Sequence, residues 1–75
     1  MKPGDLVVTT DGLGLNLCSA PEDYFRNLGI KFGWKEVATV LEVRYSSQMQ
    51  IIPDLAKVIA PEGVGWCYIE WLKVV

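Results

Sequence analysis

The sequence predicts an all-β domain, a small antiparallel barrel of five or six short strands with one short helix in a long first loop. Three observations carry this. β-branched and aromatic runs of four to eleven residues are separated by Gly, Pro and Asp clusters. Strands do not alternate with helices. Only one stretch has both a helix start and a helix stop. With 75 residues, 51% apolar and 21% charged, the chain is one globular domain over residues 1–75, with no linker or repeat. By size scaling, folding removes roughly 60% of the extended surface, on the order of 7,500 Å². If about 60% of that is apolar, its burial contributes roughly 110 kcal/mol, and ordering the chain costs about as much. The expectation is a marginal monomer, or one helped by self-association.

Pro3-Gly4-Asp5 forms a turn, and Leu6 to Thr10 is a first strand closed by Asp11-Gly12. Gly12-Leu13-Gly14-Leu15 opens a long irregular stretch. Within it, Ser19 is an N-cap, Pro21 falls in the first turn, and Glu22 completes a capping box, so a helix of about two turns spans residues 20–28 before Gly29 ends it. Lys35 to Tyr45 is a long strand, with Val37, Thr39, Leu41, Val43 and Tyr45 on one face and Ala38, Val40, Glu42 and Arg44 on the other. Ser46-Ser47 turns the chain, residues 48–52 return, and Pro53-Asp54 stops them. Leu55 to Ala60 is a further strand. Pro61 to Gly65 is a glycine-rich hairpin loop leading into Trp66-Cys67-Tyr68, a 3₁₀ turn at Ile69 to Leu72 and a last strand at residues 73–75.

Composition excludes several activities. There is no histidine, so no Ser-His or Cys-His pair exists within the chain. Net charge is −2, no two Lys or Arg are adjacent, and no basic stripe is present, which weighs against nucleic acid as a partner. A nucleic-acid-binding barrel remains the second reading, and it needs Lys31, Lys35 and Arg44 on one surface. Cys18 and Cys67 are too few for a zinc site without histidine, so no metal and no cofactor is expected. Their reading is two free thiols in a reducing compartment, with a disulfide as the alternative. No leader-like apolar stretch follows Lys2, and no window approaches the roughly 18 apolar residues of a membrane span. A soluble, cytoplasmic protein with no membrane partner is expected.

Catalytic constellations are weak. Gly12-x-Gly14 lacks the third glycine of a dinucleotide fingerprint, Leu17 standing in its place, and no long helix follows. Glu62 and Glu70 have no apolar context to tune them as acid and base. Cys18 beside the cap residue Ser19 has no base nearby. No catalytic residue is assigned, and the chain is read as a non-enzyme.

The segment Gly63-Val64-Gly65-Trp66-Cys67-Tyr68-Ile69-Glu70-Trp71-Leu72-Lys73-Val74 resembles the closing segment of SH3-like barrels, in which a strand passes through a 3₁₀ turn into a short strand. The opening Lys2-x-Gly4-Asp5-Leu6-Val7 and the ending Glu70-Trp71-Leu72 resemble small SH3-like proteins of phage and mobile elements. The resemblance implies an SH3-like barrel, an accessory role and a place in the host cytoplasm. The first strand lacks the aromatic pair of peptide-binding SH3 domains, so proline-rich peptides are not the implied ligand.

The aromatics are the candidate partner-binding residues. Alternation puts Trp66 and Tyr68 opposite Cys67, and the resemblance adds Trp71 to their neighbourhood; Tyr24 and Trp34 extend the surface from the long loop. If Cys67 faces the core, Trp66 and Tyr68 point outward as a contact surface. Alternatively, residues 13–34 fold back over them as a satellite core. A non-catalytic interaction module that binds a protein partner, or another copy of itself, is the resulting expectation.

Overall fold

In the computed structural model, residues 1–10, 14–19, 27–44 and 55–75 are described. They form seven strands: β1 (Leu6–Thr9), β2 (Leu15–Cys18), β3 (Asn27–Phe32), β4 (Ala38–Arg44), β5 (Leu55–Ala60), β6 (Gly63–Tyr68) and β7 (Leu72–Val74), with a 3₁₀ turn at Ile69–Trp71 between the last two. All pair antiparallel in one sheet of order β3-β2-β6-β5-β4-β1-β7. The all-β class and the strand–3₁₀–strand ending are as the sequence predicts, and no α-helix occurs among the described residues.

The expected barrel does not close. β3 and β7 remain edges at opposite ends of the sheet order, with no ladder between them. Both are poor at pairing. At Gly29 (φ 74°) the backbone enters a conformation that suits glycine, and its N–H donates to Asn27 Oδ1 (2.7 Å). That turn bulges β3, whose register on β2 jumps from Leu17↔Ile30 to Cys18↔Asn27. β7 has only three residues and carries the exposed Lys73. The sheet still curls: Val7 and Leu72 from one end share a buried cluster with Leu17 and Phe32 from the other.

β2 and β3 lie inside the stretch read as irregular. The short pattern Leu15-Asn16-Leu17 and the interruption at Gly29 conceal a hairpin that supplies Leu17 and Phe32, two of the largest fully buried side chains. Most of the expected helix, residues 20–26, lies outside the described residues, as do Tyr45, the turn at 46–47 and the return at 48–52. Asn27 and Leu28 belong to β3, so the helix does not reach residue 28 and Gly29 is a bulge, not a helix stop.

β4 begins at Ala38 rather than Lys35, because Glu36 N–H donates to the Gly33 carbonyl (3.1 Å) and closes a turn with Lys35 at φ 73°. A bulge between Val40 and Glu42 then changes the strand's phase. Val40 faces the core, Leu41 is exposed, and Val43 packs on the core instead of staying on the face of Thr39. β6 is longer than expected, because Gly63, Val64 and Gly65 are strand and not loop.

Gly65 is where β2 meets the rest of the sheet. A Cβ there would lie 2.6 Å from the Leu17 Cβ and 3.2 Å from the Cys18 carbonyl oxygen. Only the absence of a side chain lets the two backbones approach. Gly65→Ala is therefore expected to cost about 1–3 kcal/mol and to loosen the β2–β3 hairpin first. Urea denaturation measures the loss. Amide exchange should show protection falling at Leu17 before Val58, and equal loss at both would argue against a local hinge.

Candidate functional site

The outer face of the sheet carries two groups of side chains. The first is an apolar row along the cross-strand register Leu6↔Thr39, Thr39↔Ile59 and Ile59↔Val64, crossing β1, β4, β5 and β6. Its members alternate with core residues Val7, Ala38, Val40, Val58 and Ala60, so they stand on the opposite side of the sheet. Val37, just before β4, and the bulged Leu41 flank the row. Leu6, Val37, Leu41, Ile59 and Val64 each expose between 36% and 49% of their surface, and none of the six residues is charged. Charges of both signs stand beyond it: Glu42 and Lys57, paired across β4 and β5, on one side, and Glu62 on the other.

The second group is aromatic. Trp66 pairs with Lys57 on one side and Cys18 on the other, facing away from the core to which Cys67 belongs. Its sidedness is as alternation predicts, but its exposure is not: only 5% of Trp66 is accessible. The Arg44 guanidinium lies over its ring, 5.2 Å from the centroid, and Arg44 Nε also bonds Glu42 Oε2 at 3.2 Å. Trp66 is therefore buried rather than outward-exposed, with Cys18 as its neighbour within the sheet and Arg44 of β4 over its ring. Tyr68 is half-buried, and Trp71 packs edge-on against it, with centroids 4.8 Å apart and planes at 85°. Trp71 is exposed.

The remaining aromatic candidates do not join this corner. Tyr24 lies outside the described residues. Trp34 is exposed in the turn after β3, with Lys35 Nζ 4.7 Å above its ring. β3 ends at Phe32 opposite Leu15, whereas Trp66 is opposite Cys18, so Trp34 and Trp66 sit at opposite ends of β2. The basic residues are also dispersed. Lys31 and Lys35 belong to β3 and its turn, and Arg44 belongs to β4, with three strands between them in the sheet order. Beside Lys31, an open groove of about 290 Å³ is lined by Gly14, Leu15, Asn16 and Gly33, with the Glu36 carboxylate accepting the Gly33 N–H at its rim. A carboxylate there disfavours an anionic ligand.

Both cysteines are free. Burial pushes the Cys67 thiol up to about 12, with Cys18 adding to the shift, and desolvation raises Cys18 as well. Neither thiol is primed as a nucleophile. Cys18 alternates with the core residue Leu17 whereas Cys67 is in the core, so the two side chains leave their strands on different faces.

Sequence reading singled out the aromatics and missed the aliphatic row. A signal for it exists: Val37 to Val43 and Leu55 to Ala60 are nearly free of charge, and a strand apolar on both faces needs cover on both. No protein family matches the chain, and neither a curated protein nor a solved structure similar to it was found.

Two measurements test this description. Trp66→Ala should lower stability by about 3–5 kcal/mol, the cost of emptying a buried aromatic site; a melting curve unchanged from wild type would return Trp66 to the contact surface. The second concerns Cys67. The folded chain holds its thiol protonated, while the unfolded chain releases that proton above its ordinary value of 9.0. The stabilisation is complete below that pH and is lost as pH rises towards about 12. Urea melts at neutral pH and at about pH 10 should show a smaller alkaline loss for Cys67→Ala than for wild type, and equal losses would contradict the buried neutral thiol.

Proposed function

We propose that this chain is a non-catalytic interaction module that binds protein through the outer face of its sheet. The observation that carries this reading is the uncharged row from Leu6 to Val64, left in solvent across four strands on the side away from the core. Contiguous apolar area costs solubility, and soluble proteins keep it where something covers it. The aromatic corner supports the same reading. Trp71 offers an exposed ring held at a fixed angle by Tyr68, with buried Trp66 and Arg44 in the same sheet face. Aromatic and Arg side chains held rigid in this way typically dominate binding energy. The likeness of the opening and closing segments to small SH3-like proteins of phage and mobile elements supports an accessory role, on sequence pattern alone.

Protein is favoured over nucleic acid because Lys31, Lys35 and Arg44 are dispersed and two of the three are engaged. Arg44 lies between Glu42 and Trp66, and Lys35 rests on Trp34. A phosphate-binding surface needs several free cations along one track.

A photo-crosslinking residue tests the face directly. Placed at position 59, it should give a discrete protein adduct in cells; placed at position 28, which is exposed on β3, two strands beyond the row, it should give none. Equal labelling at both positions, or none at 59, would remove the outer face as a binding surface.

A further inference from the structure

We infer that the partner of this face is a second copy of the same chain, two sheets packing outer face to outer face about a two-fold axis. The inference rests on the reading of the face as protein-binding and names its occupant.

The first argument is self-complementarity. A two-fold interface sets one patch against itself, so any charge in its centre meets its own kind. Leu6, Val37, Thr39, Leu41, Ile59 and Val64 place no charge there, and Glu42, Lys57 and Glu62 put both signs at the margin. Such a centre meets a copy of itself with no repulsion, and the margins leave opposite charges available to pair. Shape agrees. Twisted sheets of the same hand stack about 10 Å apart at about −30°, and a copy supplies a sheet of the same twist.

Area is the second argument. The five exposed aliphatic side chains offer on the order of 400 Å². A stable interface buries about 800 Å² on each partner, with an apolar centre and a polar rim. The row supplies about half of that area as centre, and its charged margin supplies the rim.

The sheet edges offer a poorer route to association. Pairing through sheet edges would require long, regular free strands. β3 is bulged at Gly29, and β7 has three residues with Lys73 exposed. Among the described residues the face is better suited to association than either edge, and a chain whose folding balance lies near zero gains stability from covering it.

Sedimentation velocity at low and high micromolar concentration provides the test. Wild type should shift from one chain mass towards two as concentration rises, and its melting temperature should rise with concentration. Ile59→Lys should remain at one chain mass with unchanged circular dichroism. Leu28→Lys, exposed on β3, two strands beyond the row, should dimerise like wild type. Should Ile59→Lys fail to fold, Leu6→Lys repeats the test from the edge of the row. Wild type at one chain mass throughout would overturn the second copy, as would dimers that survive both substitutions. These failures differ from failure of the binding face itself: an adduct at position 59 of a mass other than two chains would sink the dimer and keep the protein-binding reading.

Discussion

The close approach of β2 to β6 at Gly65 is the constraint on which the rest of this structure depends. Only one register pair, Cys18↔Trp66, joins the two strands, yet the β2–β3 hairpin reaches the sheet through it. That hairpin delivers Leu17 and Phe32 to the core. A side chain at position 65 would occupy the space that the Leu17 Cβ fills, and the ladder from β3 to β7 would divide there. A glycine inside a strand usually weakens it by loss of packing and by entropy. Here the lost side chain is replaced by one from the neighbouring strand.

The same logic runs through the inner face. Ala38, Ala56, Ala60, Gly65 and Cys67 are small, and all but Gly65 belong to the buried cluster. A concave face lined with small residues leaves room for a large insert, which Phe32 and Leu17 provide. Curling brings β1 and β7 towards the same core, so one cluster serves both ends without a closing ladder. Because that cluster also contains Cys67, its thiol stays neutral, and the core remains free of charge.

How far the sequence could be read depends on how local each signal is. Leu55–Ala60, the 3₁₀ turn and the final strand follow from β-branched runs and from the resemblance of the closing segment, and the structure contains all three. The β2–β3 hairpin was not legible, because its strands are short and Gly29 serves equally well as a helix stop or as a bulge. Closure was not legible either, since it depends on whether two distant edges can pair. At the candidate site, alternation assigns Trp66 to the correct side of its strand. It carries no information on what lies over the ring, and Arg44 and Cys18 come from strands far away in sequence. The aliphatic row spans residues 6 to 64 and exists only once the register aligns four strands, although the low charge of residues 37–41 and of Val58 to Ala60 is visible beforehand.

Burial of Trp66 and exposure of the aliphatic row together change what the outer face can do. An exposed tryptophan flanked by tyrosine would be suited to gripping a peptide or a base, where one large ring concentrates the energy. With Trp66 covered by Arg44, that end of the face is held rigid, and its exposed ring is Trp71 at the margin. The accessible apolar area instead belongs to Leu, Ile and Val side chains spread across four strands. Such a surface has no deep pocket and few polar groups to orient a small ligand, so it discriminates by shape over a broad area. A sheet face of this kind is best matched by another extended apolar surface of the same twist. An open sheet with blunted edges leaves its face as the surface for the association we propose, and the composition of that face suits the second copy we infer.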